Sequence, residues 1–201
     1  IYKNEETMKK VLLLHTYYAE YGGEDSVVDD EFKFLSEHFK VHPLFFFNKL
    51  NFISKTISTF NAPNINQSSL SKLKNALDDF KPDIVYIHNL WFAASLGLLD
   101  FLNKKNIPVV VKIHNLKVTC SIGINYRNGQ LCHECSVFNK EKSLEYKCYK
   151  NSKTLTKISN SFGDAFFNKL NNYENIKKII VLSPFHVEYF SFMGFNRSKL
   201  V

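Results

Sequence analysis

The sequence predicts an α/β fold, a parallel sheet with helices on both faces, and three observations lead there. Short apolar runs bounded by polar residues recur at 11–15, 41–47, 83–88, 108–114 and 178–182. Runs of this length and continuity are what strands buried on both faces look like. Between them lie segments with apolar residues three or four apart, the pattern of a helix with one buried side. Strands alternating with helices at this spacing give parallel crossover units.

The chain has 201 residues, enough for one domain, with 45% apolar and 15% aromatic side chains to fill a core. No apolar run approaches the roughly 20 residues of a spanning helix. The first ten residues, IYKNEETMKK, are polar and are followed by only four strongly apolar ones, so a secretory signal is not expected; Met8 reads as a natural start and the chain as cytoplasmic. The net charge of +7 fits nucleic acid, anionic lipid or phosphorylated ligands, and fits equally a surface that simply favours Lys. Lys140, Lys142, Lys147, Lys150, Lys153 and Lys157 form a local basic stretch.

Element by element, 11–15 (VLLLH) is the first strand. Val28, Phe32, Leu35 and Phe39 mark a helix over 24–39. The run 41–47 is a strand with Pro43 near its start. Ser69 reads as the cap of a helix whose inner face is Leu70, Leu73, Leu77 and Phe80. DIVYIH, 83–88, is a strand, and 92–105 a helix with Leu98, Leu99 and Leu102 inward. PVVVKIH, 108–114, is a strand. Leu155, Ile158, Phe162, Ala165 and Phe166 predict a helix over 155–170, and KIIVL, 178–182, a strand. Ser183-Pro184 opens the last helix, Ser as cap and Pro in the first turn.

Ligands of such sheets bind beyond the carboxyl ends of the strands, where the strand order reverses. Three of the seven histidines, His15, His88 and His114, fall at strand ends, and so do Gly22-Gly23 with Glu24 and Asp25. A glycine pair between strand and helix permits positive φ and removes the Cβ atoms that would hold a ligand off the main chain. The helix that follows offers free N–H groups and a positive dipole end to an anion. Glu24 and Asp25 suit a helix N-terminus by the same dipole, and either can serve as cap. On the glycines alone a tight turn without ligand is the simpler reading, since the loop is neither GxGxxG nor a P-loop.

The segments VLLLHTYYAEYGGEDSVV, KPDIVYIHNLWF, IPVVVKIHNLKVTC, GQLCHEC, CYKNS and IIVLSPFHVEYF, in this order, resemble the N-terminal domain of glycosyltransferase family 4 from about Met8 onward. The resemblance implies a Rossmann-like domain over 8–201, the acceptor-side half of a retaining, nucleotide-sugar-dependent enzyme of the GT-B fold. It implies that Gly22 and Gly23 approach the diphosphate of the donor, that His114 approaches the transferring sugar, and that Glu24, His88 and Asn89 lie near the acceptor. No E-x7-E motif of the family's nucleotide-binding half occurs in a matching context, so this chain alone is expected not to turn over.

Cys120, Cys132, Cys135 and Cys148 are spaced C-x11-C-x2-C-x12-C, and Asn128-Gly129 between the first two is a strong hairpin signal. Residues 116–150 therefore read as a Cys-rich insertion, held by a four-thiolate structural Zn²⁺ or made of reduced thiols in a small flap. Disulfides fit a cytoplasmic chain poorly. KLNFISKTISTF, 49–60, places Leu50, Ile53, Ile57 and Phe60 on one stripe, which packs in the core or touches lipid. Together with the basic stretch, it suits an acceptor at the inner face of the membrane such as a lipid-linked sugar; the resemblance implies a sugar or lipid-linked sugar acceptor in bacterial surface polysaccharide or glycolipid synthesis. The competing function is a non-catalytic Rossmann-like module binding a nucleotide or a partner. A nucleic-acid role rests on charge alone, without an RNP, KH or helix-turn-helix signature.

Overall fold

In the computed structural model, which describes residues 8–48 and 62–201, a five-stranded parallel sheet runs in the order β2-β1-β3-β4-β7. Its middle strands are β1 (Lys10–Tyr17), β3 (Ile84–Ile87) and β4 (Val109–Lys112), flanked by β2 (Lys40–Phe47) and β7 (Ile176–Ile180). Leu12, Leu13 and Leu14 are all fully buried although successive side chains point to opposite faces, so the centre of β1 is covered on both sides. That is why VLLL is continuous rather than alternating. β1 pairs with β2 on one side (Val11 with Val41) and β3 on the other (Val11 with Ile84). β2 is an edge strand, where Pro43 is tolerated because its missing N–H faces no neighbour.

The chain moves from β1 outward to β2 through α1 (Gly23–Ser36), then returns past β1 to β3 through α2 (Gln67–Phe80). The order therefore reverses between β1 and β3, and the loops after these two strands meet at the switch point. The predicted lipid-facing stripe at 49–60 lies outside the described residues.

Two elements start elsewhere than the sequence suggests. α2 is capped by Asn66, whose side chain accepts from the N–H groups of Ser68 and Ser69, not by Ser69. Ser69 is buried one turn in, its hydroxyl bonded to Ala94 O, so the competition between two good caps is decided by that tertiary partner. The helix expected over 92–105 is confined to α3 (Gly97–Lys104). The segment before it is held in a loop by the Asn48 side chain, which donates to Trp91 O at 2.8 Å and accepts from Ala93 N at 3.2 Å. Gly97 then passes so close to residue 64 that a Cβ would sit 2.7 Å from Asn64 O.

Two compact units divide the chain: residues up to Lys112 with Glu174–Lys178, and Ile113–Tyr173 with Ile179–Val201. The second unit is built on α5 (Lys153–Asn172), capped by Ser152, and α6 (Pro184–Phe192), capped by Ser183 as predicted. The Asn128-Gly129 hairpin forms: β5 (Tyr126–Arg127) pairs antiparallel with β6 (Gln130–Leu131), and both turn residues take positive φ, 52° and 83°. The Cys-rich stretch, with the short α4 (Glu141–Glu145), is fastened to α5 by a buried polar seam. Ser159 Oγ donates to Ser121 O at 2.7 Å, Asn160 Nδ2 to Ser143 Oγ at 2.8 Å, Ser121 Oγ to Asn160 Oδ1, and Lys140 pairs with Asp164.

Candidate functional site

The first unit concentrates its polar detail at the carboxyl ends of β1 and β3. After β1, residues 18–21 lead to Gly22, the N-cap of α1, in extended conformation with φ −132°. Gly23 is exposed and opens the helix. The expected positive φ is absent from both glycines, because the turn is made without entering the left-handed region. Crowding does not demand glycine either. A Cβ on Gly23 would meet nothing within 4 Å, and one on Gly22 only Asp25 Oδ2 at 3.9 Å. Nothing described in the fold itself requires either residue to be glycine.

The loop is tied down by carboxylates of α1. Asp25, in the first turn and fully buried, accepts from Gly22 N at 2.8 Å, His15 Nε2 at 2.8 Å and Tyr18 N at 3.3 Å. Glu24 accepts from the Tyr18 hydroxyl at 2.9 Å. Asp29 accepts from the hydroxyls of Tyr17 and Tyr21, and these two bonds hold its carboxyl below the usual carboxylate range. Of the two offered acids, Asp25 is the one that reaches back to the cap, and Glu24 binds the tyrosine.

The other strand ends differ in character. His15 has no exposed surface; burial pushes its pKa down, and the Asp25 bond offsets this only in part. It belongs to the interior under the loop, not to an open face. His88 is buried, its Nε2 3.5 Å from Glu31 Oε2, and Glu31 also accepts from Tyr86 at 2.7 Å and pairs with Lys112. Asn89 is buried as well: it donates to Thr16 O at 3.0 Å and accepts from Trp91 N at 2.8 Å, tying the segment after β3 to the end of β1. The exposed part of this site is therefore the glycine loop; the buried His88 ring lies 6.1 Å from that of His15, and Asn89 reaches Thr16 at the end of β1. His114, half-buried, belongs to the second unit.

Asp25, Asp29 and Glu31 were not singled out by sequence as site residues. The signal was present for Asp25: it stands three residues before Val28 on the inward stripe of α1, and an acid on a buried face must have partners.

In the second unit the four cysteines are half-buried free thiols. Burial first, and the neighbouring thiols after it, push the Cys135 and Cys148 thiols up, which keeps both protonated. Among the described residues no group of three or more His, Cys, Asp or Glu could hold a metal ion, so the expected zinc centre finds no support, and the polar seam to α5 does the fastening instead. The same unit carries a cavity of about 650 Å³ lined largely by apolar side chains, among them Leu116, Ile124, Leu131, Phe185, Phe192 and Met193. Of these, Leu131, Phe185 and Phe192 are strongly exposed. No helix among the described residues is long and apolar enough to cross a membrane.

Comparison with known proteins bears on the whole arrangement. Over 166 residues the chain is 28% identical to a UDP-N-acetylglucosamine--N-acetylmuramyl-(pentapeptide) pyrophosphoryl-undecaprenol N-acetylglucosamine transferase of Thermosipho melanesiensis, covering 73% of this chain and 46% of that protein. The chain thus spans about half the length of this relative. No solved structure matches it. The model of Glycosyltransferase Family 4 matches residues 41–201, the greater part of the chain, and with its parallel Rossmann-like sheet of the GT-B type the protein belongs to that family.

Proposed function

We propose that residues 8–201 are the N-terminal, acceptor-binding half of a retaining hexosyltransferase that uses a nucleotide-diphosphate sugar, with the donor's phosphates at the Gly22-Gly23 loop. The observation that carries this is the glycine pair itself. Glycine costs conformational entropy and helix propensity, yet neither positive φ nor crowding calls for it here. The remaining use of a missing Cβ is the close approach of something from outside. The place suits an anion: the first N–H groups of α1 lack partners within the helix, and its dipole is positive there. As the sugar departs, charge develops on the diphosphate, and fixed N–H groups stabilise it without reorganising. Glu24, with His88 and Asn89 beneath, forms the acceptor side in this reading, and His114 keeps its assignment to the transferring sugar by resemblance.

The acceptor is a sugar or a lipid-linked sugar handled at the inner face of the membrane, in bacterial surface polysaccharide or glycolipid synthesis. The relative's undecaprenol-linked substrate supports this, and so does the charge. Residues 113–173 and 179–201 hold eleven Lys and Arg against five Asp and Glu, while the rest of the chain is nearly balanced. The exposed Leu131, Phe185 and Phe192 lie in that same basic unit. Cationic and apolar surface together suit an anionic amphiphile. Nucleotide recognition falls to a partner domain, so this chain alone is expected to be inactive.

The test is a panel of nucleotide sugars offered to the whole protein with soluble and isoprenoid-phosphate-linked sugar acceptors, following nucleoside diphosphate release. Transfer with retention of configuration, favouring a lipid-linked acceptor, is the expected result. A protein that binds nucleotide and moves no sugar to any acceptor is instead a binding module.

A further inference from the structure

We propose that Asp25 is the positioning residue of the glycine loop and that neutral His15 holds Asp25 in place. This rests on reading the loop as the phosphate side of the donor. One carboxylate joins three points of the chain: the end of β1 through His15, the first loop residue through Tyr18 N, and the N-cap of α1 through Gly22 N. Both ends of the 18–22 turn are therefore fixed to one buried group. A carboxylate with no exposed surface needs hydrogen-bond donors, and here three N–H groups serve it.

The consequence for a ligand is directional. The N–H of Gly22 is committed to Asp25, so it is not available to a phosphate. Gly23, exposed at the first position of α1, presents the next amide, and its orientation is inherited from the Gly22 bond. Asp25 thus decides where the Gly23 N–H points without touching the ligand.

The chemistry of His15 sharpens the idea. Burial disfavours the charged imidazole, and its Nε2 faces Asp25 Oδ1, an oxygen that also accepts from Tyr18 N, so Nε2 carries the proton. Nδ1 is then a bare acceptor, buried and without a hydrogen-bond partner among the described residues. The ring can also exchange tautomers without breaking any bond at Nδ1. Asp25→Asn divides these contacts: with the amide oxygen on the Gly22 side its NH₂ donates to Nε2 once the ring proton has moved to Nδ1, and the Tyr18 bond is lost; with the oxygen on the other side His15 and Tyr18 are kept unchanged and Gly22 loses its acceptor. Asp25→Ala leaves Gly22 and His15 with nothing.

Nitrogen-15 NMR of the chain reads all of this, because only seven glycines share the glycine region of the spectrum. Three quantities are followed: hydrogen exchange of the Gly22 amide, the ring-nitrogen shifts of His15, and the Gly23 amide during titration with inorganic pyrophosphate. In the wild type Gly22 is protected, His15 is the Nε2–H tautomer and Gly23 responds to pyrophosphate. Asp25→Asn couples the two readouts: Gly22 stays protected with the His15 tautomer inverted, or Gly22 exchange rises with the tautomer kept. Asp25→Ala speeds Gly22 exchange and weakens pyrophosphate by about tenfold or more, the loss expected for a hydrogen bond to a charged group, while the Leu12–Leu14 amides stay protected.

Should Asp25→Ala fail to fold, His15→Phe keeps the ring and removes the donor, and Gly22 exchange must rise in the same direction. Unchanged Gly22 exchange in Asp25→Ala or His15→Phe, or an uninverted tautomer together with a protected Gly22 in Asp25→Asn, overturns the proposal. If wild-type Gly23 ignores pyrophosphate, it is the phosphate reading of the loop that falls, and the brace stands or falls on Gly22 exchange and the tautomer.

Discussion

Asp29 shows how single residues hold the loop together. Its carboxylate accepts from Tyr17 and Tyr21, on either side of the turn, and its pKa is lowered from the ordinary 3.8, the Tyr17 bond being the larger cause and the Tyr21 bond the next. A carboxyl whose folded pKa is depressed stabilises the fold above its unfolded value and loses that contribution as pH falls through the folded one. Urea midpoints of the wild type are therefore expected to fall as pH drops through the ordinary carboxylate value of 3.8 toward the lowered one of Asp29. Asp29→Asn should be less stable near neutrality and flatter across that window; an equally steep acid limb in the variant would assign the loss to other carboxylates. At this scale the sequence was partly legible. The glycine pair at a strand–helix junction could be found, since composition marks it. The extended φ of Gly22 and the burial of His15 could not: both depend on α1 folding back over the end of β1, and a polar strand-end residue reads alike whether roofed or open.

Elements were legible where periodicity had no rival. β1, α1, β2, α5, and α6 with its Ser183 cap stand close to where the pattern put them. The misses at Asn66 and at 92–96 share one cause. Local signals offered two solutions, and a buried side chain elsewhere chose between them: Ser69 bonding Ala94, and Asn48 bonding Trp91 and Ala93. The Cys-rich stretch is attached by a hydrogen-bonded seam along α5 that its spacing does not announce, and the metal that its spacing argues for finds no support among the described residues. That seam depends on close approach: a Cβ on Gly163 would lie 2.6 Å from Lys117 O. Gly163→Ala raises helix propensity, so an isolated α5 would gain stability. In the folded chain the clash dominates, and we expect a net loss of about 1–3 kcal/mol, measured by thermal melting. A stabilised variant would mean that the segment is not packed against α5 there.

Taken whole, the chain divides its two resources between its two units. The sheet and its switch point, with the glycine loop, lie in a unit of nearly balanced charge, while most of the net +7 and the largely apolar cavity belong to the other unit. The architecture was legible because alternating buried strands and amphipathic helices admit few topologies; the division into two units was not, because residue 112 to 113 is a continuous strand in the sequence pattern. The central claim is that the glycine pair serves a donor and not the fold. Its most direct test is Gly23→Ala in the whole protein, with sugar transfer and melting temperature taken on the same preparation. The account predicts an equal or higher melting temperature, by up to about 0.5–1 kcal/mol of added stability, together with a fall in catalytic efficiency toward the nucleotide sugar of about tenfold or more. Unchanged transfer by a well-folded Gly23→Ala protein would contradict it.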